Sequence, residues 1–333
     1  MTLLFMDGFD HYDQGQLVEK WDGQVSMNVG SAYARFGGQG ARSYGGGYWF
    51  NKLLAANETT VYVGFAFYKD SSNTPSSGTY GQLKLCDESD VAQIYIRLNS
   101  GLGFTALLGE GTELGTSADA VFTNYKWHYI ETKVTISDTV GVVEVKLNGT
   151  QVLNLTSQDT KNGSDYIRKV QFGGLSPNAY CWFDDLYIDD AQFHGDCRIR
   201  TFMPDSISST NNDFTASAGN KDECVDEIPS NDDTDYITSD TLNHKQGFGI
   251  TTGALGTVIG IQLNNHCRVD EAGARNITPL IRSNSTNYLG TETGAIAANY
   301  IFESEIWETD PDDSNPWTQT KLEAAEFGLE ITT

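Results

Sequence analysis

The stretch from Trp127 to Asp190 decides the fold. It reads WHYIETKVTIS from Trp127, VVEVKLNGTQVLNLT from Val142, VQFGGL from Val170 and YCWFDDLYIDD from Tyr180. In the first two segments apolar and polar residues alternate, which is the period of a strand with one buried face. Asn148-Gly149 supplies two residues that tolerate the positive φ of a tight hairpin turn. The stretch therefore predicts an antiparallel β-sandwich, not a helical or parallel-sheet domain.

Several motifs of this stretch resemble one protein family. W-H-Y-I-E, V-x-V-K-L-N-G-x-x-V and F-D-D-L-Y-I-D-D resemble the second half of a concanavalin A-like (laminin-G-like) jelly roll, in the version found in structural proteins of tailed bacteriophages. MDGFDHY at Met6 to Tyr12 and RFGGQGAR at Arg35 to Arg42 are similar to the opening of such proteins. The resemblance implies a jelly-roll domain over residues 1–195. It also implies a virion structural protein, either a capsid decoration protein or a tail or fibre component.

Residues 196–333 differ in character from the first part. Residues 205–245 are rich in Ser, Asn, Asp and Thr, and alternation resumes after Ile250. This pattern predicts a second, smaller β-sandwich. Segments such as IGIQLNNHCRVDEAG and EIWETDPDDSNPWT resemble a module that recurs in phage and prophage proteins.

Composition limits the partners. The 333 residues are 39% hydrophobic, which is enough for the cores of two sandwich domains. The net charge of −24 disfavours nucleic acid and anionic membrane surfaces as partners. No signal peptide is visible, and no apolar run approaches the length of a membrane span. We expect synthesis and assembly in the host cytoplasm, a final location in the virion, and no membrane insertion.

The cysteines predict no metal cofactor. The five are widely spaced and form no C-x-x-C pair, so a structural zinc site is not expected. They are Cys86, Cys181, Cys197, Cys224 and Cys267. We expect small buried thiols, and the sequence leaves open whether Cys181 and Cys197 pair.

One carboxylate motif bears on catalysis. Glu88-Ser89-Asp90 resembles the start of the E-x-D-x-x-E strand of laminarinase-type enzymes, in which paired carboxylates act as nucleophile and general acid. Gln93 stands where the third carboxylate belongs, and the segment has the composition of a turn. We therefore predict no catalytic residues and a non-enzymatic protein.

Three aromatic residues among glycines are candidates for ligand binding. Tyr44, Tyr48 and Trp49 flank a triple glycine, and aromatic faces bind sugar rings in lectins. The alternative function is therefore a lectin-like module that recognises glycans on the host surface. The competing interpretation is that the three rings belong to the core and rim of a jelly roll.

Acidic residues near the end of the first part suggest a calcium site. Strand alternation places Asp185 and Asp189 on one face, and carboxylate oxygens are calcium ligands. The competing interpretation is an exposed strand edge made soluble by its charge. Asn231, Asp233 and Asp235 have the spacing of a calcium loop, but Tyr236 replaces the required Gly, so we interpret them as a surface loop.

Assembly contacts are expected at the N-terminus. Leu3, Leu4, Phe5 and Met6 form a short apolar run that is able to add a strand to a neighbouring subunit. The competing interpretation is a strand of the chain's own sandwich. Expected partners are other virion proteins and further copies of this chain, with a trimer as one candidate state.

Overall fold

The computed structural model of the protein describes residues 2–44, 47–70, 83–173, 179–270 and 275–332. The chain divides into two compact units, Thr2–Arg200 and Thr201–Thr333. Antiparallel strands dominate the described residues of both units. The prediction of an all-β chain with sandwich-like folds is confirmed.

The first sheet of the N-terminal unit is eight-stranded and antiparallel. In spatial order its strands are β13 (Thr150–Gln158), β12 (Gly141–Leu147), β11 (Trp127–Thr135), β6 (Thr60–Asp70), β15 (Tyr180–Asp189), β4 (Gly40–Tyr44) and β3 (Asn28–Gly30), with β1 (Leu3–Asp7) also paired to β15. The chain returns between Leu147 and Thr150 through Asn148 and Gly149, whose φ values are 50° and 78°. The predicted hairpin is therefore confirmed.

The second sheet of this unit is seven-stranded. In spatial order its strands are β10 (Thr112–Thr116), β9 (Phe104–Leu108), β8 (Ala92–Leu98), β7 (Leu83–Cys86), β14 (Ile167–Gly173), β5 (Trp49–Glu58) and β2 (Gly23–Val25). A short helix, α1 (Leu17–Lys20), and a 3-10 turn, Ser31–Tyr33, lie in the connections. In parts of β8 and β14 buried residues alternate with half-buried ones, so one face of the sheet points outward.

Aromatic rings fill the space between the two sheets. Phe65 and Phe183 of the eight-stranded sheet meet Phe172 and Phe50 of the seven-stranded sheet, with ring centroids 5.4 Å apart in both pairs. All four side chains are fully buried. Burying a Phe side chain stabilises a fold by roughly 1.5–3 kcal/mol, so this cluster holds the sheets together.

A β-bulge interrupts β15. Asp184 lies opposite Ala66 and Tyr187 lies opposite Gly64, so β15 has one more residue than β6 over this interval. Asp185 adopts a φ of 49° there. The extra residue changes which side chains of β15 face outward after Asp184.

The chain after β15, residues 191–200, covers part of the outer face of the eight-stranded sheet; we call it the covering segment. The backbone N–H of Gly195 donates to Glu131 Oε1 at 2.8 Å, and Tyr187 Oη donates to the same oxygen at 2.7 Å. The N–H of Ile199 donates to Asp185 Oδ1 at 2.8 Å. These contacts leave Glu131 only 2% exposed although it points away from the core.

The C-terminal unit has a five-stranded sheet and two two-stranded sheets among its described residues. The larger sheet is ordered β16 (Ser206–Asn212), β19 (Lys245–Gly249), β24 (Glu326–Ile331), β21 (Ile277–Ser283), β22 (Thr286–Leu289), and the smaller sheets pair β17 (Thr215–Ala216) with β18 (Ile237–Thr238) and β20 (Ile261–Cys267) with β23 (Ile301–Trp307). Helix α2 (Gln319–Ala324) is capped by the side chain of Thr318 and packs Leu322 beside Trp317 and Phe327. Across the described residues, no helix has the length and apolar composition needed to cross a bilayer.

Candidate functional site

A groove of about 550 Å³ lies on the outer face of the seven-stranded sheet. Its aromatic wall is Trp49, at the start of β5. Gly23 of β2 lies beneath this ring, because a Cβ at Gly23 would be 3.2 Å from Trp49 Cζ3. The rest of the groove is lined by Asn51, Leu53, Lys84, Lys169, Gln171, Asp22 and the turn residues Glu88 and Asp90.

Polar side chains cross the groove in one row. Asn51, Gln171, Lys84 and Tyr95 occupy in-register positions on β5, β14, β7 and β8. With strands about 4.8 Å apart, the row spans about 14 Å. The carboxamides of Asn51 and Gln171 make no hydrogen bonds to other side chains or backbone within the described residues. Gln171 is half-buried and Asn51 is 6% exposed, so the exposed part of each carboxamide is available to a ligand.

Charged groups in and beside the groove are paired. Lys169 Nζ lies 2.5 Å from Asp90 Oδ1, and Lys52 Nζ lies 3.3 Å from Asp22 Oδ2. Lys84 Nζ lies 2.5 Å from Glu110 Oε1. Exposed pairs of this kind contribute roughly 0–1 kcal/mol to stability. Because both signs alternate along the walls, the groove favours a ligand rich in hydroxyl groups over one with a strong net charge.

The three aromatic residues singled out from the sequence do not form one platform. Tyr44 ends β4 of the eight-stranded sheet, and its ring centroid is 6.1 Å from that of Tyr48. Trp49 begins β5 of the seven-stranded sheet and faces the groove. The chain passes from one sheet to the other within these few residues, so sequence neighbours lie on different faces.

Tyr44 and Tyr48 belong to a second surface, which we call the outer aromatic face. It lies on the eight-stranded sheet beside the region under the covering segment and consists of Tyr33, Arg42, Tyr44, Tyr48, Tyr68, Trp127, Tyr180 and Trp182. Trp127, Tyr68, Trp182 and Arg42 stand in register on β11, β6, β15 and β4. Each side chain of this face is half-buried. Sequence analysis missed the surface because its members are far apart in the chain.

The two carboxylates proposed for calcium form hydrogen bonds within the chain. Asp189 Oδ1 accepts the N–H groups of Ala191 and Gln192, and Oδ2 lies 2.8 Å from His194 Nε2. Asp185 and Asp189 are 2% and 0% exposed, so the alternative of an exposed strand edge does not describe them either. No group of three His, Cys, Asp or Glu side chains suited to a metal occurs among the described residues. Calcium binding by Asp185 and Asp189 therefore stays a prediction.

The apolar N-terminal run forms a strand of its own domain. Phe5 pairs with Ile188 and Met6 with Tyr187. Leu3 and Phe5 are 3% and 5% exposed, while Leu4 and Met6 on the other face are half-buried. The competing interpretation therefore describes this segment: a strand of the chain's own sandwich is formed by Leu3, Leu4, Phe5 and Met6.

The remaining sequence predictions concern thiols and the acidic loop. The structure places no disulfide between Cys181 and Cys197, nor at Cys86, Cys224 or Cys267, all of which lie among the described residues. Asp233 accepts hydrogen bonds from Arg268 and Tyr300, and Asn231 donates to Asp235. The loop is therefore hydrogen-bonded internally and to Arg268 and Tyr300, which lie next to the ends of β20 and β23.

Comparison with known proteins finds likeness only among solved structures. No protein-family model matches the chain, and no curated protein matches its sequence. An endo-β-1,4-glucuronan lyase from Trichoderma reesei is 14% identical, with 58% of this chain and 100% of the lyase covered and a TM-score of 0.40. The carbohydrate binding module CBM66 from Bacillus subtilis is 11% identical, with 50% and 94% covered and a TM-score of 0.32. A sialidase from Trypanosoma rangeli is 13% identical, with 50% of this chain but 28% of the sialidase covered and a TM-score of 0.35.

The prediction that the chain is not an enzyme is wrong, because neither its fold nor its motifs exclude catalysis. A lyase and a sialidase are among the structures of similar fold. The missing third carboxylate at Gln93 argues against one retaining hydrolase arrangement and excludes no other reaction. At identities of 11–14% the likeness concerns the fold alone and assigns no activity to this chain.

Proposed function

We propose that the N-terminal unit binds carbohydrate in the groove of the seven-stranded sheet. The observation that carries this proposal is the placement of Trp49 beside the in-register row of Asn51, Gln171 and Lys84. A sugar ring has an apolar face and a rim of hydroxyl groups. One aromatic ring beside several convergent polar groups is the kind of lining that fixes such a ligand.

The shape of the groove suits a linear oligosaccharide. The polar row runs across the strands, and successive members are separated by one strand spacing of about 4.8 Å. A chain of sugars lying along the row would meet a new side chain at each step, with one sugar stacked on Trp49. The paired charges and the free carboxamides favour a glycan with many hydroxyl groups.

A glycan array with the full chain, followed by calorimetry on the bound glycans, tests this proposal. Trp49→Ala and Gln171→Ala should each weaken binding at least about tenfold, which corresponds to about 1.4 kcal/mol. Tyr236→Ala is the matched control, because Tyr236 is 39% exposed and lies in the C-terminal unit. Glycan binding that survives both groove substitutions would show that the groove is not the site.

The same glycans report on catalysis. Incubation with the full chain, followed by assays for new reducing ends and for unsaturated sugars, would reveal hydrolysis or elimination. Lys84, Glu88 and Asp90 line the groove and are the titratable groups to substitute if cleavage appears. Binding without cleavage would identify a recognition module.

A role in the virion is a second proposal, supported by the sequence resemblance. The motifs MDGFDHY, RFGGQGAR and FDDLYIDD carry it. A glycan-binding groove is consistent with a particle protein that contacts a host surface. Mass spectrometry of purified particles from a cell that expresses this chain provides the test, and absence from the particles would contradict it.

A further inference from the structure

We propose that the outer aromatic face docks a protein segment that presents one carboxylate side chain between apolar residues, with Arg42 as the binding cation. This surface lies on the eight-stranded sheet, whereas the proposed glycan groove lies on the other sheet. The inference is therefore independent of carbohydrate binding.

Arg42 is held in place but has no anionic partner in the described part of the chain. Its guanidinium carbon lies 4.4 Å from the ring centroid of Tyr33 and 4.8 Å from that of Tyr180. Within the described residues the side chain forms no hydrogen bond and no ion pair. The chain has 45 Asp and Glu residues against 21 Lys and Arg, so most cations have an acid within reach. An arginine fixed by two rings and lacking an acid is prepared for a carboxylate from elsewhere.

Two hydrogen-bond donors without acceptors also favour a ligand that carries an acceptor, such as a carboxylate. Arg42 Nε and Trp182 Nε1 are buried and have no acceptor among the described residues. Their residues lie directly opposite each other on β4 and β15. Buried polar groups almost always have a hydrogen-bond partner, so each of these two donors lacks an acceptor. Because both atoms are donors, a group that satisfies either of them must be an acceptor.

The arrangement of the rings favours a protein over a sugar. Tyr68 and Trp182 stack on each other at 4.4 Å with an interplanar angle of 14°, and Tyr44 lies 4.5 Å from Tyr180. These contacts, with those of Arg42 to Tyr33 and Tyr180, each cover one ring face and so reduce the area left for stacking a sugar ring. A half-buried set of Trp, Tyr and Arg side chains is also the composition that dominates the binding energy of protein interfaces.

The charge of the whole chain restricts the partner further. At −24 the protein repels a long acidic run. A single carboxylate suffers little from this repulsion, because exposed charges beyond about 8 Å are screened at physiological salt. Apolar side chains on either side of the carboxylate would pack against the edges of Trp127, Tyr68 and Tyr44. The partner segment is therefore an isolated Asp or Glu in an apolar context.

Selection from a random peptide library on the immobilised full chain tests the inference. We expect the enriched peptides to carry an Asp or Glu beside apolar residues. Replacing that acid by its amide should abolish binding. Arg42→Gln should raise the Kd at least about tenfold, and Arg42→Lys should also raise it, because an ammonium lacks the planar fork of the guanidinium. Lys133→Gln is the matched control: it removes one positive charge from the same sheet outside this face.

Other outcomes would overturn the inference. They are a selection that enriches no peptide, enriched peptides without an acid, and unchanged affinity for Arg42→Gln. Arg42-dependent binding of oligogalacturonate without any peptide binding would assign the face to an acidic glycan instead. If thermal melting shows that Arg42→Gln does not fold, Trp182→Phe replaces it, since it removes the Nε1 donor and keeps a ring. Peptide affinity that Trp182→Phe leaves unchanged would then reject the proposal.

Discussion

Gly64 shows how a single missing side chain shapes the N-terminal unit. It lies on β6 between Glu131 of β11 and Tyr187 of β15. A Cβ at this position would lie 2.1 Å from Cε1 of the Tyr187 ring, whose hydroxyl donates to Glu131. Gly64→Ala must therefore displace that ring and loosen the covering segment. We expect a loss of about 1–3 kcal/mol in the free energy of unfolding. Denaturant melts should show it, whereas Gly111→Ala, with no atom within 4 Å of the added Cβ, should be neutral.

Asp184 and Asp185 make stability depend on pH. Burial raises the pKa of both carboxyls, and the charge of Asp185 raises the pKa of Asp184 further. A carboxyl whose pKa is higher in the folded state holds its proton more tightly there. As pH rises above the ordinary carboxyl pKa of about 4, the unfolded chain loses these protons first, so stability falls with rising pH.

Asp185→Asn should reduce this dependence on pH. The amide keeps an oxygen for the Ile199 N–H and tolerates the φ of 49°. From mildly acidic to mildly alkaline pH, the variant should lose about 1 kcal/mol less unfolding free energy than the wild type, the equivalent of about one pKa unit. Parallel stability curves for the two proteins would contradict the assignment.

Strand β1 is expected to act as a part of the core. Phe5 is 5% exposed, and its ring centroid lies 4.9 Å from that of Trp21. Phe5→Ala should cost about 3–5 kcal/mol of unfolding free energy, and deletion of residues 1–6 should unfold the N-terminal unit by circular dichroism. Leu4→Ala, at a half-buried neighbouring position, should cost less. If the protein without residues 1–6 stays folded but no longer assembles, the interpretation of this strand as an interface is restored.

The division of the whole molecule into two units predicts independent folding of each. The compact N-terminal unit extends to Arg200, five residues beyond the boundary expected from sequence. Those residues include Asp196, which pairs with Arg35 at 2.7 Å, and Ile199, which is bonded to Asp185. Limited proteolysis near Arg200 should release two fragments that each melt cooperatively. A fragment 1–195 should melt at a lower temperature than a fragment 1–200, and one resistant unit spanning the cut would contradict this division.

The sequence by itself determined the features that depend on neighbouring residues. Period-2 alternation identified β11 and β12, because side chains of a strand alternate between faces whatever the strand pairs with. Asn148-Gly149 identified the hairpin, because the φ values of a two-residue turn are restricted to few residue types. The antiparallel sandwich followed from both.

Only the tertiary structure decided which strands are neighbours and in what register. Tyr44 and Trp49 are close in sequence but lie on different sheets, while Trp49 and Gln171 are distant in sequence and meet in one groove. The bulge in β15 puts Tyr187 and Asp189 on the same face as Asp184, since one extra residue shifts the alternation by a full step. Pairing and register depend on contacts among distant segments, and no local pattern of residues contains them.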